Sequence, residues 1–158
     1  MVRVYIWNFR GKNEAWGHAS MDCDGTYISW WPELPGQVPS RLHRNVYSSH
    51  PIRMRRFTDD VRDEGMQPDH TIEIRGLDEH KIKLWWSRVA LVYGNQERQG
   101  PLTYPWSTLG WNCARIVATA LKEGGGDQYA KWFKSWNLVW TPNDVRNYAR
   151  SIAQNIRS

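Results

Sequence analysis

Trp16-Gly17-His18-Ala19-Ser20-Met21-Asp22-Cys23-Asp24-Gly25-Thr26-Tyr27-Ile28-Ser29-Trp30-Trp31 reads as two strands joined by a two-residue turn. Asp24-Gly25 is a strong hairpin signal, because a type I′ turn needs positive φ at both central positions. That turn sets the register: Cys23 faces Thr26, Asp22 faces Tyr27 and Ser20 faces Ser29. Side chains alternate between the two faces of a strand, so His18, Ser20, Asp22, Tyr27, Ser29 and Trp31 share one side of the hairpin.

Outward from the hairpin the pattern alternates between strand and helix. Val2–Asn8 is apolar at every second position, as in a half-buried strand. From Pro32 to Pro68 the chain is polar, broken by proline and glycine, and rich in arginine. It predicts an irregular basic excursion over about 32–68 with one short helix around Asp59–Glu64, and arginines 53, 55 and 56 in a solvated basic loop. His70–Arg75 alternates again as a strand. Leu77–Tyr93 has helical spacing through Ile82, Trp85, Trp86, Val89 and Val92, with Asp78 as N-cap. Gly100–Gly110 reads as a loop with an extended piece around Leu102–Trp106. Asn112–Lys122 reads as a helix that Gly124-Gly125-Gly126 stops, followed by a short helix over Asp127–Ser135. The last helix runs from Pro142 to Ile156, with Thr141 as N-cap and Asp144 in its first turn. The expected architecture is α+β, a small antiparallel sheet packed against helices.

The 158 residues suit one domain spanning 1–158, large enough to bury roughly two-thirds of its unfolded surface. No stretch approaches the ~20 apolar residues of a membrane-spanning helix, and Met1-Val2-Arg3-Val4-Tyr5-Ile6 lacks the regions of a signal peptide. If the protein leaves its cell, it is expected to use another route, such as delivery into a target cell by a secretion system, or to travel as part of a larger chain. Cys23 and Cys113 are the only cysteines, too few for a stapled scaffold, and a bridge between them is not the favoured reading. Lys and Arg outnumber Asp and Glu by 21 to 16, and eleven tryptophans accompany them. Basic charge with amphipathic aromatics suits a membrane surface or an anionic polymer, although a given tryptophan more often fills a core. No recognised nucleic-acid-binding motif accompanies the charge. No His/Asp/Glu set has metal-ligand spacing, so neither metal nor cofactor is expected.

Two residues carry chemistry. Cys113 follows Gly110-Trp111-Asn112 and opens an apolar helix. At a helix N-terminus the exposed N–H groups and dipole favour a thiolate, a neighbouring imidazolium favours it further, and the same N–H groups can stabilise an oxyanion. Asn112 and Ser20 are candidates for supporting that site. His18 lies about 95 residues earlier on the hairpin, and packing its face against the Cys113 helix would bring imidazole to sulfur. A third polar group must orient the imidazole. Ser29, diagonal to His18, and Ser20 are the candidates, and Asp22 sits farther along. His43, His50, His70 and His80 lie in less suitable contexts.

Gly17-His18-Ala19-Ser20 on one strand, Tyr27-Ile28-Ser29-Trp30-Trp31-Pro32 on the next and Asn112-Cys113 opening a helix together resemble the circularly permuted branch of the NlpC-type papain-like superfamily. Trp140-Thr141-Pro142-Asn143-Asp144-Val145 is similar to bacterial members, and the resemblance spans roughly residues 16–150. The histidine precedes the cysteine, the reverse of papain-type enzymes. The resemblance implies a papain-like α+β fold, Cys113 as nucleophile, His18 as general base and Ser29 as the third residue. Permuted members such as lecithin retinol acyltransferase act on lipid acyl esters, whereas unpermuted ones mostly cut cell-wall peptides. Some permuted members resemble antibacterial toxins with a cognate immunity protein. The leading expectation is a thiol acyl hydrolase of membrane phospholipid. A peptidoglycan stem-peptide hydrolase and a protein acyltransferase are variants of the same chemistry, and a tryptophan-rich module binding a membrane or a protein is the non-enzyme alternative.

Overall fold

The computed structural model describes residues 1–10, 17–31, 47–48, 55–93, 98–101, 106–107, 111–130 and 139–156. The elements, in chain order, are β1 (Val2–Trp7), β2 (His18–Cys23), β3 (Thr26–Ile28), β4 (Tyr47–Ser48), α1 (Phe57–Glu64), β5 (His70–Ile74), α2 (Glu79–Val89), β6 (Ala90–Tyr93), β7 (Arg98–Pro101), β8 (Trp106–Ser107), α3 (Cys113–Glu123) and α4 (Pro142–Asn155). The fold is α+β. One antiparallel sheet carries it, in the order β3-β2-β1-β5, and two short pairs, β4 with β8 and β6 with β7, stand beside it.

The hairpin has the expected register, with Cys23 opposite Thr26 and Asp22 opposite Tyr27. Asp24 at φ 48° and Gly25 at φ 84° supply the two left-handed residues of the turn. In the β1–β2 pair Trp7 lies opposite His18 and Tyr5 opposite Ser20, so these four share one face of the sheet. The other face is apolar: Val2, Val4, Ile6, Ala19, Met21, Cys23, Ile28, Ile72 and Ile74 are buried there. Against it pack α3, buried at Ile116, Val117, Ala120 and Leu121, and α4, buried at Val145, Tyr148, Ala149 and Ile152. The helix expected over Asn112–Lys122 and the last helix with its Thr141–Asp144 capping box form as read.

Three expectations need correction. The helix expected over Leu77–Tyr93 ends at Val89, and Ala90–Tyr93 pairs with Arg98–Pro101 instead. The Leu-Val-Tyr run at 91–93 satisfies a helical spacing and a strand propensity alike, and the pairing partner decides between them. Of the helix expected over Asp127–Ser135, the described part is a single 3-10 turn, Gly126–Gln128, and residues 131–138 lie outside the described residues. The excursion is not irregular throughout: Phe57–Glu64 is helical, a longer element than expected, and Tyr47–Ser48 is paired. The extended piece expected at Leu102–Trp106 falls largely on residues 102–105, outside the described residues.

The tryptophans mostly serve the core. Trp7, Trp30, Trp31, Trp86 and Trp140 are buried, while Trp85 and Trp111 are partly buried against it. No helix among the described residues is long and apolar enough to cross a membrane.

Candidate active site

Cys113 is the first residue of α3, and Asn112 explains why the helix starts there. Asn112 is extended at φ −126°, and its Oδ1 accepts the Arg115 N–H at 2.8 Å. Its Nδ2 donates to the Trp140 carbonyl at 2.9 Å, tying the start of α3 to the strand of chain that enters α4. The Asn112 side chain is thus a cap and a tether. Cys113 is buried, as is Cys23, and both thiols are free, in keeping with the absence of an expected bridge.

His18 is the first residue of β2, wholly buried between two indoles. Trp31 stacks on it with centroids 4.5 Å apart, and Trp7 is tilted against it at 5.5 Å. Nε2 lies 3.0 Å from Asp60 Oδ2 and 3.0 Å from Ser29 Oγ. Asp60 is the residue that the sequence reading missed. Its Oδ2 also accepts the Ser29 hydroxyl at 2.7 Å and the Tyr27 hydroxyl at 2.6 Å, and its Oδ1 accepts Arg55 Nε at 2.6 Å. The second arm of Arg55 donates to Asp63 at 2.6 Å. Arg55 is 11% exposed, so it belongs to this network and not to a solvated basic loop.

The helix α1 delivers Asp60. Asp59 accepts the Arg56 N–H at 2.9 Å at its start, and Gly65 at φ 71° ends it, with Met66 N–H returning to Val61. Phe57, Asp60, Val61 and Glu64 fall on one face of such a helix. Phe57 lies 4.6 Å from the Tyr5 ring and 6.4 Å from the Tyr27 ring, which seats that face on the His18 side of the sheet. The face bearing His18 is therefore covered by α1, while α3 packs on the opposite, apolar face. Imidazole and thiol meet where β2 and α3 begin, not through the face-to-helix packing expected from the sequence.

Ser29 bonds the imidazole, as expected of a third polar group, whereas Ser20 bonds Tyr27 instead. Ser29 is a bridge between His18 and Asp60, so the carboxylate, not the serine, is the principal orienting group. The Ser20 hydroxyl is 2.7 Å from Tyr27 Oη, three hydrogen bonds removed from the imidazole, through Tyr27 and Asp60. It supports Tyr27.

The charges agree with this arrangement. Burial alone would lower the His18 pKa, but the Asp60 carboxylate, with the Cys113 sulfur as a second partner, outweighs it and raises the pKa to about 10. Burial would raise the Asp60 pKa, and the imidazolium and Arg55 hold it well below the usual carboxylate range. Burial pushes the Tyr27 phenol far up, with the Asp60 charge adding to it, so Tyr27 remains a donor. Since Nε2 donates to Asp60, Nδ1 is the atom left for the thiol. It is buried, and the Cys113 sulfur, near enough to favour the imidazolium, lies outside hydrogen-bond geometry with it. Among the described residues no group of His, Cys, Asp and Glu could hold a metal ion.

The family model of the IcsB middle domain matches residues 45–158. The chain belongs to this family. No curated protein and no solved structure matches it. Within the IcsB middle-domain match lie Asp60, with its partner Arg55, and Cys113; His18 and the hairpin that holds it precede the matched region.

Proposed function

We propose that this chain is a thiol-nucleophile acyl-transfer enzyme in which Cys113, His18 and Asp60 act together, with membrane phospholipid esters as acyl donors. The observation that carries the reading is the wholly buried His18–Asp60 pair beside a cysteine at a helix N-terminus. Burying an imidazole and a carboxylate together is costly unless every lone pair is met, and four donors converge on Asp60 to meet them. A binding module has no need of such an arrangement.

The chemistry follows from the geometry. Asp60 and Ser29 fix the ring so that Nδ1 holds the proton that Cys113 gives up. The sulfur attacks the ester carbonyl, the unpaired N–H groups of the first turn of α3 meet the developing oxyanion, and the imidazolium returns its proton to the leaving alcohol. Water, or an amine on an acceptor, then resolves the thioester. The choice of lipid rests on the order of histidine before cysteine and on the net charge of +5. It draws nothing from the tryptophans, since Trp7, Trp30, Trp31, Trp86 and Trp140 are buried and Trp85 and Trp111 are partly buried.

The test is to incubate wild type and Cys113→Ala with liposomes of mixed zwitterionic and anionic phospholipid and follow free fatty acid. Release by wild type alone supports the reading. Intact lipid together with fragments released from cell-wall sacculi would move the substrate to a peptide, and an acyl group appearing on added protein amines would make the acceptor an amine. No Cys113-dependent product from any of the three would overturn the enzyme reading.

A further inference from the structure

The indole of Trp31 lies almost parallel to the His18 ring, with the planes 16° apart. Trp31 is 3% exposed, and its Nε1 is buried with no hydrogen-bond partner among the described residues. An indole nitrogen can only donate. A buried donor without an acceptor is disfavoured in a folded protein and calls for an explanation. The other side-chain donors that surround the imidazole are committed. Ser29, Tyr27 and Arg55 donate to Asp60, the Trp7 indole donates to the Met66 carbonyl, and one N–H of the Asn112 amide donates to the Trp140 carbonyl.

We propose that the Trp31 N–H is the side-chain donor to the oxyanion formed at Cys113. The inference rests on the acyl-transfer reading above and names a further residue of the same site. In the step concerned the S–C bond forms, and the π pair of the carbonyl moves to oxygen, where the indole N–H meets it. The pair returns as the C–O bond to the leaving alcohol breaks, and the departing alkoxide takes the proton held on His18 Nδ1. Among the described residues the indole meets no acceptor, and the acceptor proposed is the oxyanion itself, so the interaction strengthens only as charge develops.

Two reactions of one thiol separate this role from a structural one. Acylation by 4-nitrophenyl butyrate passes through an oxyanion, whereas exchange with 4,4′-dithiodipyridine involves no carbonyl. Trp31→Phe keeps a ring on the imidazole and removes the N–H. It is expected to slow the acylation burst about 10- to 100-fold and to change disulfide exchange less than about threefold. Trp31→3-benzothienylalanine, which keeps the bicyclic ring and lacks the N–H, gives the same comparison where phenylalanine leaves a cavity. Acylation within about threefold of wild type in both variants would overturn the proposal and assign the N–H to a bound water. A parallel fall in both reactions would overturn it too, making Trp31 a support for His18. A wild-type burst that Cys113→Ala fails to abolish, or no burst at all, brings down the acyl-transfer reading itself and this proposal with it.

Discussion

His18 Nε2 and Asp60 Oδ2 lie 3.0 Å apart, both side chains wholly buried, on a strand and a helix that the chain separates by a long excursion. Neither group would hold its charge at this depth alone. Burial lowers an imidazole pKa and raises a carboxylate pKa, and here each partner reverses the other's shift. The pair therefore explains at once why α1 docks on the His18 face and why Nδ1 is the atom left for Cys113.

Asp60→Asn keeps the shape and removes the charge. The His18 pKa then loses its largest upward contribution while burial continues to lower it. Following the His18 ring by NMR, the imidazole of the wild type is expected to stay protonated until pH nears 10, and that of the variant to titrate at clearly lower pH. Acylation of Cys113 should fall about 10²- to 10⁴-fold. An unchanged histidine titration would refute the coupling.

Stability should follow the same pair across pH. His18 has a folded pKa above its ordinary value of 6.5, so its contribution is complete below pH 6.5 and is lost as pH rises toward 10. Asp60 has a folded pKa below its ordinary value of 3.8, so its contribution is complete above that and is lost as pH falls. The expected unfolding free energy is a plateau between about pH 4 and 6.5 with a decline on either side. Its alkaline limb amounts to on the order of 3–5 kcal/mol. Urea melts at intervals from pH 3 to 10 measure it, and His18→Gln should flatten the alkaline limb.

How far the sequence foretold this site depends on which constraint was local. Asp24-Gly25 permits one turn, so the hairpin register and the side shared by His18, Ser20, Tyr27 and Ser29 were legible. Asn112 before an apolar run marked the start of α3 and placed Cys113 there. Asp60 was hidden because its helix is short, carries Asp59, Asp60, Asp63 and Glu64 in one segment, and looks like a solvated face. The signal that was present is Phe57 with Val61 at i and i+4, which marks one side of that helix as inward. Asp60 lies on that side and Asp59 does not. Arg55 was misread for the same reason: an arginine among arginines carries no mark of which one finds a buried carboxylate.

Ser29→Ala and Tyr27→Phe test how the hydrogen bonds at Asp60 share the work. Each removes one donor from Oδ2 and leaves the imidazole and Arg55 in place. Each is expected to cost about 1–3 kcal/mol of stability and to lower the acylation rate only several-fold. A loss from Ser29→Ala as large as that from Asp60→Asn would restore the serine as the principal orienting group.

Gly17 governs where His18 begins. Its φ is +76°, and a Cβ there would stand 2.6 Å from the Trp7 carbonyl oxygen and 2.9 Å from the Phe9 nitrogen. Both contacts are backbone atoms, at the end of β1 and just beyond it, which cannot turn aside as a side chain would. Gly17→Ala must therefore part β1 from the start of β2, where Trp7 and His18 face each other. The expected result is a loss of about 2–4 kcal/mol, from left-handed strain and the clash together, read as a lowered urea midpoint. Because the displaced residue is His18, acylation under conditions where the variant remains folded should drop more than tenfold. Gly25→Ala is the control: its φ is +84°, but a Cβ there meets nothing within 4 Å. It should carry the conformational strain alone and leave acylation within about twofold of wild type, so comparable acylation losses in the two variants would reject a local effect of Gly17 on the imidazole.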